Sequence, residues 1–137
     1  MIEYKPLSAE VTQSLREADE FDIKGEMPSV AIGYDVVRNG VAEGSIFIIK
    51  RDYSEHGFYT LDGYNKETEG FGGIGFFMAM RKIIADFDAL NTGYPLLILR
   101  DTRRKDLTAV FERFGFKRLC EEHKWHIYLR GVHEKRN

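Results

Sequence analysis

A chain of 137 residues that is 43% hydrophobic and 13% aromatic suits one globular domain with a substantial core, and is too short for two ordinary ones. Its 20 basic and 22 acidic side chains give a formal charge of -2, which supplies no global attraction for nucleic acid. A single cysteine, Cys120, excludes an internal disulfide; no apolar run approaches the roughly 20 residues of a membrane helix; and "MIEYKPLSAE" lacks a basic-then-apolar leader pattern, so the expected location is the cytoplasm.

"IEYKPL" is short and extended, and Ser8 stands where an N-cap opens a helix with Val11, Leu15 and Ala18 on one face. After the loop "DIKGEMPS", the runs "VAIGYDVV" and "VAEGSIFIIK" are rich in β-branched residues. They are joined by "RNG", a hairpin signal because Asn39 and Gly40 both accept positive φ. "GFYTLDGY" follows the turn "RDYSEHG" as a third antiparallel strand. From Gly73 onward Phe76, Phe77, Met80, Ile83, Ile84 and Phe87 recur at helical spacing, predicting a helix with one buried face. "NTGY" breaks it, and "PLLILR" reads as a strand buried on both faces. "KDLTAVFERFGF" reads as a second amphipathic helix, opened by Arg103, Arg104 and Lys105 and ended by Gly115; "FKRLCEE" and "WHIYLRG" form a hairpin around His123 and Lys124. The order β-α-β-β-β-α-β-α-β-β predicts an α/β (α+β) domain over residues 1–131, with helices interleaved with a mixed sheet and a frayed tail over 132–137.

The stretch "EGFGGIGFFMAMRKII" places Gly70, Gly72, Gly73 and Gly75 directly before the first long helix. A strand that ends in such a turn presents unpaired N–H groups and the positive end of a helix dipole to one small space, and a missing Cβ lets a phosphate approach. The pattern has no Gly-Lys-Ser/Thr of a P-loop, and the strand before it belongs to a meander and not to a βαβ unit. Two readings are open at this point: a phosphate cradle, or a loop with a close helix-to-sheet contact and no ligand.

Element order, together with "GFGGIG" (residues 70–75) and "AVFERFGF" (residues 109–116), resembles the GNAT superfamily of N-acetyltransferases over nearly the whole chain. "GFGGIG" is similar to that family's Gln/Arg-x-x-Gly-x-Gly/Ala turn, and "AVFERFGF" to its Ala-x-x-x-Tyr-x-x-x-Gly-Phe region. The resemblance implies a GNAT-like, mostly antiparallel twisted sheet with helices on both faces. It further implies a splayed pair of strands, "GFYTLDGY" and "PLLILR", that holds the pantetheine arm of acetyl-CoA as co-substrate. The pyrophosphate would sit on the amides of Gly70, Phe71, Gly72, Gly73, Ile74 and Gly75, with Arg104 near the outer phosphate and a bulge at Asp62-Gly63 opening the splay. Gly70 stands where the family usually has Gln or Arg, Phe111 where it often has a Tyr acid, and Arg104 where it often has Asn.

An amine must be neutral to attack a thioester, so an active enzyme needs a base within reach. Glu43, whose expected direction is solvent, and Asp62 or Glu67 near the splay are the carboxylate candidates; Tyr59, Tyr64 or Tyr128 are the phenols that could replace the missing acid. Each also has a plain structural reading. Cys120 reads as a small core residue, His56, His123, His126 and His133 as surface residues without metal-ligand spacing, and Phe58, Phe76, Phe77, Phe87, Phe111, Phe114 and Trp125 as core.

The expected activity is transfer of an acetyl group to a primary amine, on a small molecule or a protein, by direct attack in a ternary complex, with "DIKGEMPS" forming part of the acceptor wall. No metal, membrane or nucleic acid is expected to take part, and the chain is expected to be a monomer or homodimer. The alternative is a GNAT-fold binding or assembly module without catalysis, such as phages encode. A nucleic-acid binder using Arg100, Arg103, Arg104, Lys105, Lys117 and Arg118 is disfavoured by the net charge.

Overall fold

The computed structural model describes residues 2–9, 29–53, 56–64, 73–122 and 124–131. Its elements are β1 (Ile2–Pro6), β2 (Ser29–Arg38), β3 (Val41–Tyr53), β4 (His56–Tyr64), α1 (Gly73–Leu90), β5 (Leu96–Asp101), α2 (Thr108–Arg113), β6 (Lys117–Glu122) and β7 (Trp125–Arg130). The helix expected after Ser8 and the loop "DIKGEMPS" fall on residues outside the described ones apart from their ends. Asn39 and Gly40 take positive φ of 52° and 79°, the turn geometry that matches the twist of the β2–β3 hairpin. β3 and β4 run through most of the stretch expected as a turn, pairing as far as Tyr53 with His56.

The sheet is seven-stranded, in the order β1, β2, β3, β4, β5, β7, β6. The β4–β5 contact is parallel and the others are antiparallel. This is the mixed, mostly antiparallel sheet of a GNAT-like α/β domain. One sheet face, carrying Val36, Ile46, Ile48, Leu61, Leu96, Ile98 and Tyr128, packs against Ala79, Met80, Ile83, Ile84 and Phe87 of α1 and Phe111 of α2. Burying each large apolar side chain of this kind contributes about 1.5–3 kcal/mol, which makes the α1 stripe the main anchor of the helix. Both described helices therefore cover the same face. The other face carries the smaller cluster of Phe47 and Ile49 with Leu7 and Val30, and β5 is accordingly well buried on the helix side and half-buried on the other, instead of buried on both.

Local chemistry redraws the approach to α2. The Asp101 carboxylate accepts the Arg103 N–H at 2.9 Å and its guanidinium at 3.0 and 2.7 Å, while Asp106 accepts the N–H and hydroxyl of Thr108 at 2.8 and 2.6 Å. These short-range bonds stabilise turns over helix. Arg103, Arg104 and Lys105 therefore lie before α2 and do not open it. Gly115, at φ 90°, closes it as expected. Cys120 is exposed on β6, the sheet edge, whose residues are all exposed, so it is not a core residue. Trp125 is half-buried, with the Lys124 ammonium 5.0 Å from its ring centroid.

Polar clamps fix α1 at two places. On its outer flank the Tyr34 hydroxyl donates to Asp86, which Lys82 also grips at 3.0 Å while lying over the rings of Tyr4 and Tyr34. Burial first, and then the Asp86 carboxylate, pushes the Tyr34 phenol up to about 12; the same hydrogen bond holds Asp86 below its ordinary value. At the far end Arg130 of β7 makes two 2.6 Å bonds to Asp88 and a third, 3.2 Å, to the Phe114 carbonyl, tying α1, α2 and the sheet together. Asp88→Ala would leave a largely sheltered guanidinium unpaired. The expected result is a loss of about 2 kcal/mol in urea unfolding with an unchanged m-value; a loss below about 0.5 kcal/mol, typical of an exposed pair, would contradict this role for the clamp.

Candidate active site

β4 and β5 pair only at Tyr59 with Leu96 and Thr60 with Leu97. Beyond that point β4 continues to Tyr64 and β5 to Asp101, each still laddered on its outer side, to β3 and β7 respectively. The inner edges of residues 61–64 and 98–101 therefore part, and the splay expected from the resemblance is present. It does not arise from a bulge at Asp62-Gly63, because β3 and β4 stay in unbroken register through Phe47 with Asp62 and Ile46 with Gly63.

Asp62 lies on the β4 lip, two residues beyond the last β4–β5 pair. Its side chain is open to solvent, and it accepts the Gly63 N–H at 2.8 Å. Desolvation by the surrounding protein pushes its pKa up to about 6; the Gly63 hydrogen bond and the charges of Arg104, Arg100 and Arg51 oppose the rise. Arg51 is buried beside it, donating from Nε to the Thr60 hydroxyl at 3.3 Å. Arg100 stands on the β5 lip, its Nε bonded to the Lys105 carbonyl at 2.8 Å and its guanidinium 6.0 Å from the centre of the Phe111 ring. Burial and the charge of Arg104 lower the pKa of Arg100. The sequence reading passed over Arg51 and used Arg100 only as a basic residue. For Arg100 the available signal was its place at the end of "PLLILR", one of the two strands of the predicted splay; Arg51 fell in the stretch expected as a turn, and the extension of β3 to Tyr53 is what brings it to the site.

Glu43 departs from its expected direction. Val36 faces Gly44 and Val37 faces Ala42, so Glu43 is an inserted residue in β3. A bulge of this kind turns its side chain against the ordinary alternation. Glu43 is largely sheltered, pairs with Arg38 at 2.6 Å, and fills the space where Gly75 would carry a Cβ: its Oε2 lies 2.0 Å from that position. At Gly75 the missing side chain thus admits a carboxylate of the same chain.

Tyr128 is buried in the core, its hydroxyl sharing a 2.7 Å hydrogen bond with Thr108 and its ring edge-on to Phe111 at 5.0 Å. Phe111 is itself core. Tyr59 is buried against Phe87, its backbone N–H held by the Pro95 carbonyl at 3.1 Å where the two strands meet. Gly73 and Ile74 begin α1. Glu67, Gly70, Phe71 and Gly72, and the side chains of Tyr64 and Ile74, lie outside the described residues. Arg104 is exposed, its N–H bonded to the Asp101 carbonyl at 3.0 Å. His126 is not a surface residue: its Nδ1 is buried, without a hydrogen bond, 3.8 Å from Glu121. Among the described residues no group of three His, Cys, Asp or Glu side chains could hold a metal, and no helix is long and apolar enough to cross a membrane.

The occupancy of the Gly75 space can be read by a double-mutant cycle. Ala exceeds Gly in helix propensity by up to about 1 kcal/mol. Gly75→Ala alone should change stability little, because Glu43 must swing away from Arg38; in the Glu43→Ala background it should stabilise by about 1 kcal/mol. Equal effects in both backgrounds would show that Glu43 does not hold that space.

No protein-family model and no curated protein sequence matches the chain. Among solved structures, the ribosomal-protein-S18-alanine N-acetyltransferase from Escherichia coli superposes with a TM-score of 0.59 at 12% identity, covering 98% of this chain and 96% of that one. Escherichia coli ElaA gives 0.57 at 17%, covering 94% and 98%. The Campylobacter jejuni N-acetyltransferase PseH, solved in complex with acetyl coenzyme A, gives 0.55 at 13%, covering 94% and 97%. With its two-pair β4–β5 junction and the helix that follows β4, this chain has the fold of the GNAT N-acetyltransferases.

Proposed function

We propose that the protein is an acetyl-CoA-dependent N-acetyltransferase acting on a primary amine, with the splay as its active site. The observation that carries this reading is a carboxylate of raised pKa, Asp62, on the lip of a cleft whose backbone edges are unpaired. When bound, acetyl-CoA supplies an activated acyl group as a thioester. The inner edges of residues 61–64 and 98–101 can hydrogen-bond an extended, amide-bearing arm as a sheet edge binds a strand. The amides of residues 70–75 are proposed for the pyrophosphate, with Gly75 serving Glu43 and the earlier glycines serving the ligand.

At neutral pH Asp62 is ionised and its basicity exceeds that of an ordinary aspartate, so it can take the proton of an acceptor ammonium, directly or through water, as the nitrogen becomes nucleophilic. Thiols are far more acidic than alcohols, a cysteine side chain having a pKa of about 8.5, so the sulfur of the coenzyme can depart as thiolate. Phe111 in place of a phenolic acid is therefore compatible with turnover. Direct attack agrees with the placement of Cys120 on an exposed edge strand, where it cannot serve the cleft as a nucleophile. A second reading, a binding or assembly module without catalysis, is favoured by Glu43, whose negative charge lies against the first turn of α1 and competes with an anion there.

Calorimetry with acetyl-CoA, alongside thiol release with an amine panel, separates the two. The expected result is one-to-one binding, a thermal shift equivalent to about 2.7 kcal/mol at a hundredfold excess over Kd, and acetyl transfer. In Asp62→Asn, kcat/KM should fall by about 10²–10⁴ while coenzyme affinity is kept. The wild-type kcat/KM should rise with pH through an inflection near 6 that the variant lacks. Binding without transfer to any amine would favour the module; absence of binding in a folded sample would remove the enzyme reading.

A further inference from the structure

Strand alternation gives the two lips of the splay different faces of the sheet. Asp62 lies opposite Phe47 in the β3–β4 ladder, on the side of the Phe47 and Ile49 cluster. Arg100 stands two residues beyond Ile98, on the side that α1 and α2 cover, and its guanidinium lies 6.0 Å from the centre of the Phe111 ring. It is half-buried there and held by one end: Nε donates to the Lys105 carbonyl at 2.8 Å, while among the described residues neither terminal nitrogen has an acceptor. The charged and polar groups around it leave that end open. Asp106 and, from the other face, Asp62 attract it and Arg104 repels it, but the exposed Asp106 carboxylate accepts the N–H and hydroxyl of Thr108, and Asp62 accepts the Gly63 N–H. The Tyr128 hydroxyl is shared with Thr108, and His126, the neighbour of Arg100 on β7, has its Nδ1 3.8 Å from Glu121. A guanidinium fixed at Nε, partly desolvated and open at its terminal nitrogens is prepared for an anion.

We propose, on the acetyl-transfer reading of the splay, that Arg100 is a catalytic residue for departure of the coenzyme sulfur, its terminal N–H groups bonding the thiolate as the C–S bond breaks. Residues 70–75 lead into α1, which lies on the covered face, so a coenzyme whose pyrophosphate sits at that turn brings its sulfur into the splay from the side of Arg100. An amine deprotonated by Asp62 arrives from the other face. Attack and expulsion then use opposite sides of the sheet: the nitrogen lone pair forms the C–N bond, the C–S electron pair leaves on sulfur, the ammonium proton passes to Asp62 and then to water, and the thiolate takes a proton from solvent on release. Phe111 has no proton to give on that face, so the charge on sulfur persists until release, and a fixed cation is the group that lowers its energy. The anion that Arg100 receives has two possible sources, the sulfur and a phosphate of the coenzyme, and the inference commits to the first.

Calorimetry with CoA and acetyl-CoA across pH separates them, on wild type and on the uncharged variants Arg100→Gln and Arg100→Met, with folding confirmed by thermal midpoint. The readout is the ratio of CoA to acetyl-CoA affinity, in which every titration except that of the thiol cancels. A thiol whose pKa is lowered in the complex favours CoA above that pKa and adds nothing below it. In wild type the ratio should therefore rise by about tenfold or more as pH rises from neutral through the ordinary thiol range. Both variants should lose that rise and keep acetyl-CoA affinity, because a thioester sulfur carries no charge. A ratio that is flat with pH in wild type, or a rise that persists in both variants, would overturn the inference and leave the acetyltransferase reading standing. Loss of acetyl-CoA affinity in the variants would assign the guanidinium to a coenzyme phosphate and also overturn it. Failure of folded wild type to bind CoA and acetyl-CoA would remove both.

Discussion

Two neighbouring strands that run parallel for two residue pairs and then separate set the terms for the rest of the molecule. Strands normally stay paired because each unpaired N–H or C=O in a sheltered place costs free energy. Here β4 is secured along its length by β3, and β5 by β7, so the sheet persists although its middle opens. The α1 stripe of Met80, Ile83, Ile84 and Phe87 bridges the same face, and the Arg130–Asp88 clamp stops the C-terminal end of that helix from moving away from β7. The opening is thus held by packing on either side, and its edges are available to a ligand.

The electrostatics follow from that opening. Asp62 and Arg100 act on one another electrostatically although strand alternation turns them to opposite faces of the sheet, Asp62 with Phe47 and Arg100 with Phe111. Desolvation raises the basicity of Asp62 and the guanidiniums restrain the rise, leaving a carboxylate that is ionised at neutral pH with a pKa of about 6. Glu43 adds an opposing contribution near the start of α1, where it takes up space and positive potential that a phosphate would otherwise use.

Much of the fold was legible because short-range signals and long-range packing agree. Asn39-Gly40 demanded a hairpin, the spacing from Phe76 to Phe87 demanded one buried helix face, and Gly115 demanded a helix end; each has the predicted form. Where reading failed, a specific competing interaction prevailed. The period-two rule assigned Glu43 to solvent and broke at an inserted residue that alternation cannot reveal. The Arg103-Arg104-Lys105 run looked like a helix start until Asp101 and Asp106 captured the local N–H groups. Cys120 and His126 were misjudged because burial in the last hairpin depends on which strand is the edge, a property of sheet order. The candidate site was partly legible: Asp62 could be named from its place near the splay, whereas its partners Arg51 and Arg100 come from strands 11 residues before and 38 residues after it and meet it only in the folded sheet.

The central claim is that the parted edges of β4 and β5 are the coenzyme site, and amide hydrogen exchange with and without saturating acetyl-CoA tests it most directly. The account predicts slowed exchange concentrated in residues 61–64 and 98–101, with the β1–β2 pairing unchanged. Unaltered exchange in both segments, or protection confined to another part of the sheet, would contradict it.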